Sequence, residues 1–194
     1  MKHRLWSLDY QGHYLSALFA LLLVLTGCDV APREDAEISA VRAFHEKILS
    51  LGTAGVPRLE DIEALTPYIS AAFRQRLLAA RAAEDAARIR HGGTEPPMLQ
   101  GSIFHSLFEG AHRIISVERN QKTGGYLVNL EYGVENAPAA EKTTWQDRTW
   151  LITENGQPRV DDLEFLGKWD FGSKGRLSLI LENIGRDFFP KSDL

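Results

Sequence analysis

The chain has 194 residues, which fits one domain plus a targeting segment, and its 44% hydrophobic and 25% charged residues are ordinary for a globular protein. The formal net charge is -4 and lysines and arginines do not cluster with aromatic residues, which argues against nucleic-acid binding. The single cysteine excludes an intrachain disulfide and a cysteine-rich zinc or iron–sulfur site.

Residues 1–27 are predicted to be an export signal. Lys2 and Arg4 form a short basic region, and residues 14–25 then read YLSALFALLLVL. This apolar run is too short to span a bilayer, which takes about 20 residues. It has the length of the apolar core of a signal peptide.

The apolar run leads into the cysteine through small residues. Leu25, Thr26 and Gly27 precede Cys28, a pattern that resembles the lipobox of bacterial lipoproteins. The resemblance implies cleavage between Gly27 and Cys28 and attachment of two or three fatty acyl chains, such as palmitate, at Cys28. Two chains suffice for stable anchoring, at about 0.8 kcal/mol per buried methylene. The alternatives are an ordinary signal peptide and a signal anchor in which the cysteine is incidental.

The residue after the cysteine bears on the destination of the protein. Asp29 resembles the signal that keeps enterobacterial lipoproteins in the inner membrane, although the rule differs among bacteria. It predicts anchoring on the periplasmic face of the inner membrane, with the outer membrane as the alternative. We expect residues 28–36 to form a lipidated tether and residues 37–194 to form a single α+β domain, since no second apolar run of membrane length follows.

The first half of the mature chain is predicted to be helical. Apolar residues recur at helical spacing over residues 38–51, and glycines and a proline in residues 52–57 end that helix. One or two further turns follow around Ile62. Ser70 suits the N-cap of the next helix, which runs to a breaker at residues 91–97. We expect the arginines of this helix to lie on a solvated face. They are Arg74, Arg76, Arg81, Arg88 and Arg90.

The second half is predicted to form four strands. They cover residues 113–119, 126–134, 148–154 and 160–166. The second strand alternates apolar and polar residues, as expected of an antiparallel strand with one buried face. Asn155 and Gly156 predict a hairpin turn before the fourth strand. The irregular apolar spacing of the fourth strand predicts a bulge near Asp161 and Asp162.

A last helix is predicted to begin near Ser173 and to end before Gly185, a residue suited to the position after a helix. Helices followed by a meander of antiparallel strands make an α+β domain. We therefore expect N-terminal helices packed on a curved antiparallel sheet of about four strands, plus a C-terminal helix.

Three segments together resemble a known family. Residues 101–110 (GSIFHSLFEG) precede the first strand, Trp150 leads through a turn to residues 159–163 (RVDDL), and residues 167–173 (GKWDFGS) precede the last helix. The pattern is similar to a family of small bacterial envelope lipoproteins of unknown function, which resemble the nuclear transport factor 2-like superfamily. The resemblance covers residues 36–187 and implies a cone of helices against a bent sheet. It implies no catalytic residues, and the fold alone says little about function.

Asp161 and Asp162 are the most enzyme-like pair. In some members of that superfamily a carboxylate inside the cone acts as a base, and Tyr126 and Tyr132 lie on the apolar side of their strand, where they could line a substrate pocket. Adjacent strand residues point to opposite faces, so the two aspartates make a poor catalytic pair. The simpler expectation is that one aspartate acts as a cap or hydrogen-bonds backbone at the bulge while the other is solvated.

The histidines do not suggest a metal site. His45, His91, His105 and His112 are spread over helix, linker and the start of the sheet without the spacing of convergent ligands. The sequence also lacks a phosphate-binding glycine loop and a serine-nucleophile motif. We therefore expect no metal, no cofactor and no enzymatic activity.

Lys168, Trp169, Asp170 and Phe171 place two aromatic residues among charges between the last strand and the last helix. Exposed tryptophan beside lysine is typical of a binding hot spot. The alternative, which we favour from the sequence, is that Trp169 or Phe171 plugs the end of the cone and Asp170 caps the helix.

Three functional hypotheses follow. The first is a lipid-anchored periplasmic domain that binds an envelope protein, either a component of an export or secretion machine or a toxin that it neutralises as an immunity protein does. The second is a pocket that binds a small apolar or lipid-like ligand. The third is an isomerase or hydratase that uses Asp161 or Asp162. The lack of a complete catalytic constellation favours the first.

Overall fold

The computed structural model describes residues 33–93 and 99–188. The lipobox residues Gly27 and Cys28 and the sorting residue Asp29 lie outside these ranges. None of the helices in the described ranges combines the length and the apolar character that crossing a membrane requires.

Four α-helices lie in the described ranges. They are α1 (Arg33–Leu51), α2 (Leu59–Leu65), α3 (Ala71–Arg90) and α4 (Leu177–Phe188). The first turn of α1 includes residues 33–36, which the sequence assigned to the tether. Ser70 caps α3 as predicted, because its side chain accepts a hydrogen bond from the N–H of Phe73.

The arginines of α3 do not all lie on a solvated face. Arg81 is buried, and its guanidinium donates to the main-chain oxygen of Val56 at 3.3 Å and to Asp85 at 2.6 Å. The prediction of a solvated face is therefore wrong for Arg81, which packs against the loop before α2.

Within residues 33–93 and 99–188, five strands form one antiparallel sheet in chain order. They are β1 (Arg113–Arg119), β2 (Tyr126–Tyr132), β3 (Thr143–Glu154), β4 (Gln157–Phe165) and β5 (Gly175–Arg176). β5 exceeds the predicted number of strands, but it has only two residues, which pair with the end of β4. Because β5 intervenes, α4 begins at Leu177 rather than near Ser173, and it continues past Gly185.

The bulge predicted in β4 lies at Asp161. Trp150 pairs with Asp162 and Leu151 pairs with Val160, which leaves Asp161 as the extra residue. The extra residue resets the alternation of the strand and explains its irregular apolar spacing.

Two apolar clusters fill the space between the helices and the sheet. The larger one joins α1, α2, α3, β4 and α4, and it includes the fully buried rings of Phe44, Phe73 and Phe104. The smaller one joins Val41 of α1 to the inner face of β1, β2 and β3. Each fully buried phenylalanine contributes about 1.5–3 kcal/mol to folding. The domain is thus α+β, as predicted, with the helices packed on the sheet.

Helix α1 runs along β2 from one end to the other. Near the start of α1, Glu37 accepts a hydrogen bond from the hydroxyl of Tyr126, the first residue of β2. Just after α1, Gly52 borders the same cleft as Tyr132, the last residue of β2. We call the end of the sheet beside Tyr132 the distal end.

Candidate functional site

Asp161 and Asp162 both make structural contacts. The hydroxyl of Ser70 donates to Asp161 at 2.6 Å and so joins the N-cap of α3 to the bulge. Asp162 is buried, and it accepts hydrogen bonds from the N–H and the hydroxyl of Ser178, at 3.0 and 2.7 Å, at the start of α4. Neither aspartate lines the two clefts described below. The isomerase hypothesis, which needs one of these carboxylates in a pocket, gains no support.

Tyr126 and Tyr132 lie at opposite ends of β2 and do not converge on one site. Burial, and after it the hydrogen bond to Glu37, raises the pKa of Tyr126 to about 12, so this hydroxyl keeps its proton at neutral pH. Tyr132 packs against His112 with 4.4 Å between ring centroids. The two tyrosines therefore do not supply a shared substrate pocket.

Two buried histidines lie beneath the sheet. Their ring centroids are 6.2 Å apart, and His45 contacts the hydroxyl of Thr149 through Nε2 at 2.8 Å. Burial, aided by the neighbouring His105, lowers the pKa of His45 to about 3, and burial lowers that of His105 to about 4. Both rings are therefore neutral at physiological pH.

Ser102 and His105, at the distal end, form a pair that resembles a nucleophile with its base. Ser102 Oγ lies 2.7 Å from His105 Nδ1, beside an open cleft of about 500 Å³. Within the described residues, His105 Nε2 has no hydrogen-bond partner to orient the ring. The N–H groups of Ser102 and Gly110 donate to Phe108 and Leu107, so they do not offer an oxyanion hole. The pair lacks the other parts of a hydrolase site.

Asp147 is the centre of a buried hydrogen-bond network. Its carboxylate accepts from the N–H of Ser106 at 2.9 Å, the hydroxyl of Ser106, the indole N–H of Trp145 at 2.9 Å and the N–H of Leu166 at 3.1 Å. Burial raises the pKa of Asp147 above its usual range, although these hydrogen bonds oppose the shift. The network fixes where the chain leaves the end of β4.

Three aromatic side chains lie side by side at the distal end. Trp145 is buried, the half-buried Trp169 meets it edge-on with 5.6 Å between centroids, and Phe171 stacks on Trp169 at 6.5 Å. We call Trp145, Trp169 and Phe171 the aromatic cluster. Trp169 packs inward against Trp145, whereas Phe171 is 68% exposed.

The loop that carries Trp169 and Phe171 is held against Ser106. The N–H of Gly167 donates to the hydroxyl of Ser106 at 2.9 Å, and the N–H of Ser173 donates to its main-chain oxygen at 3.0 Å. A Cβ on Gly167 would lie 2.6 Å from the Trp169 ring, so only glycine fits there. Asp170 is exposed and does not cap α4. The carboxylate of Asp162 does so instead, by accepting a hydrogen bond from the N–H of Ser178. The expectation that Asp170 caps the helix is wrong.

A second open cleft, of about 570 Å³, adjoins the aromatic cluster. It lies between residues 144–146 of β3 and residues 166–169. Trp145 and Trp169 line it together with Lys168, the charged side chain on its wall. In the described ranges, no three histidine, cysteine, aspartate or glutamate side chains are grouped to hold a metal ion.

Sequence reasoning missed the buried polar residues of this site. Asp147 and Ser106 are 41 positions apart, so no local pattern joins them. His45 follows Phe44 in the apolar stripe of α1, and this position is the feature of the sequence that indicates its burial. By contrast, Lys168, Trp169 and Phe171 were singled out because aromatic residues stand among charges.

The chain was also compared with known proteins. No protein-family model, no curated protein and no solved structure matches it.

Proposed function

We propose that this protein is a lipid-anchored periplasmic domain that binds an envelope protein through its aromatic cluster. The observation that carries the proposal is Phe171, which is largely exposed and yet held in place by stacking on Trp169. A preorganised, exposed aromatic ring loses little entropy on binding and gains from burial. Aromatic anchors of this kind dominate the energetics of protein interfaces.

Charged residues surround the aromatic cluster. Lys168, Asp170 and Lys174 are exposed on the same loop as Phe171. An apolar centre with a polar rim is the usual composition of a protein–protein interface. The charges favour a protein partner over a lipid-like ligand, which would bury them without compensation.

Side chains fill the space between the helices and the sheet, which argues against a small apolar ligand bound inside the domain. The rings of Phe44 and Phe104 meet edge-on at 6.2 Å between helices and sheet, and His105 meets Trp145 at 6.4 Å. Both clefts of the distal end are open to solvent, whereas small-molecule sites bury most of the ligand surface.

The anchor belongs to the same proposal. Four residues separate Cys28 from Arg33, where α1 begins, and the five steps from Cys28 to Arg33 span at most about 18 Å. Helix α1 then rises about 28 Å toward the distal end. A domain anchored at Cys28 on the periplasmic face of the inner membrane could thus present the aromatic cluster away from the bilayer, to a secretion or export component or to a toxin.

The nuclear transport factor 2-like cone is also part of the proposal. What supports it is the packing of the helices on the antiparallel sheet and the bulge at Asp161, which bends β4.

Site-specific photo-crosslinking in intact cells tests the proposal. A benzoylphenylalanine at position 171 should give an adduct of defined mass with one protein partner. The same residue at position 179 is the matched control, because Leu179 is 57% exposed, close to the 68% of Phe171, but lies on α4. Adduct at 171 alone, lost in Trp169→Ala, is the expected result. Equal adducts at both positions, or none at 171, would reject the proposal.

A further inference from the structure

In the part of the chain that the structure describes, strand β3 has a neighbour on only one side along its first residues. Its pairing with β2 begins at Thr143, whereas its pairing with β4 begins at Asp147. Within the described residues, no strand lies against residues 144–146 on the β4 side. This short edge forms one wall of the cleft beside the aromatic cluster.

The main-chain groups of Thr144 and Gln146 point to that open side. In an antiparallel sheet, consecutive residues direct their N–H and C=O groups to opposite neighbours. The C=O of Glu131 accepts a hydrogen bond from the β1 side, so the next residue back, Leu130, faces β3 and its partner Trp145. Because Trp145 faces β2, the residues on either side of it face away from β2.

The opening is built into the buried network. After Phe165, the N–H of Leu166 turns to the Asp147 carboxylate and the N–H of Gly167 turns to the Ser106 hydroxyl. Both N–H groups thus use side-chain acceptors in place of the main chain of β3, and the pairing of β4 with β3 stops at Phe165. The cleft is therefore a fixed consequence of the core.

The outer edge of the sheet at β1 is protected. β1 is interrupted by a register shift between Ile114 and Ser116, and it carries charged residues near both ends. Bulges and charges on edge strands discourage pairing with another chain. The edge at residues 144–146 instead offers Thr144 and Gln146 beside two tryptophans.

We propose that an extended segment of the protein partner adds to β3 at Thr144 and Gln146. A polypeptide strand supplies the alternating N–H and C=O groups that such an edge requires. An apolar side chain of the segment packs on Trp169, and an acidic one pairs with Lys168, the cation on the cleft wall. This inference rests on the proposed function and specifies how the partner is held.

A proline substitution tests the strand addition. Gln146→Pro removes an N–H that faces the cleft and none that faces β2. The matched control Gln146→Ala removes the side chain and keeps that N–H. With benzoylphenylalanine at position 171, we expect about tenfold less adduct in Gln146→Pro and no more than about a twofold change in Gln146→Ala.

The outcomes separate the two proposals. Undiminished adduct in Gln146→Pro would overturn strand addition and leave the aromatic docking surface intact, whereas no adduct in the parent protein would reject the docking surface itself. An adduct with the mass of two copies of this chain would show that the chain binds itself, and would overturn the proposal that the partner is a different protein. If Gln146→Pro does not fold, hydrogen exchange on the crosslinked parent complex decides. Protection of the amides of Thr144 and Gln146 is expected, and unchanged exchange would overturn the inference.

Discussion

At the scale of single residues, the buried histidines are the most informative groups. His45 sits in the apolar stripe of α1, and its ring meets Phe44 edge-on at 5.1 Å. Sequence periodicity predicts that such a position is buried but cannot predict its polar partner, Thr149, 104 positions away. Burial of two neutral imidazoles makes the stability of the fold depend on pH.

We predict that the domain loses stability as pH falls from 7 to 5. An unfolded histidine takes up a proton near pH 6.5, whereas the folded pKa values are about 3 for His45 and about 4 for His105. The unfolded state therefore binds more protons in this interval. Each histidine lowers the free energy of unfolding by up to about 1.4 kcal/mol per pH unit below 6.5. Urea titrations at a series of pH values measure the slope.

The variant His105→Gln tests whether the buried histidines cause this pH dependence. It removes one of the two buried titrating rings, so we expect the slope between pH 6 and 5 to fall by about half. Gln75, an exposed residue of α3 that does not titrate, provides the control variant Gln75→Ala, which should leave the slope as it is. The raised pKa of Asp147 acts in the opposite sense, but it is common to all variants. An identical slope in His105→Gln and the parent protein would contradict the assignment.

At the scale of elements, the sequence predicted most of what local patterns encode. The apolar stripe of α1, the N-cap Ser70 and the bulge at Asp161 all appear where expected. The start of β3, at Thr143, was not predicted. Asp147 occupies an inward position at which alternation predicts an apolar residue. Its burial is compensated by donors from distant segments, which a local pattern cannot reveal.

We predict that Asp147→Asn destabilises the domain by about 2–4 kcal/mol. The change keeps the size of the side chain but replaces one accepting oxygen by an NH₂ group, so buried donors lose their acceptor at about 1–3 kcal/mol each. Equilibrium denaturation followed by tryptophan fluorescence measures the loss. Asp170→Asn, at a fully exposed carboxylate, should change stability by less than about 0.5 kcal/mol. Equal stability of Asp147→Asn and the parent protein would show that the network is dispensable.

The loop that carries Trp169 and Phe171 also depends on contacts that local sequence patterns do not reveal. The sequence identified Trp169 and Phe171, but which ring packs inward depends on Trp145 and Ser106. Neither contact follows from the order of residues in the loop. The cleft at Gln146 was not predicted at all, since it arises where β4 diverges from β3.

At the scale of the whole molecule, composition and the order of elements were enough to predict an α+β domain. They did not predict that the buried network, the aromatic cluster and the open edge of β3 would all meet at the distal end. The other end of β2 is where Tyr126 meets Glu37, near the start of α1.

The anchor is the central claim, and metabolic labelling with a palmitate analogue tests it most directly. The full-length protein and Asp29→Asn, which keeps the lipobox, should both carry the label. Cys28→Ala should carry none and should accumulate as uncleaved precursor, because the acceptor thiol of the lipobox is gone. Continued labelling of Cys28→Ala, or an unlabelled parent protein, would contradict the account.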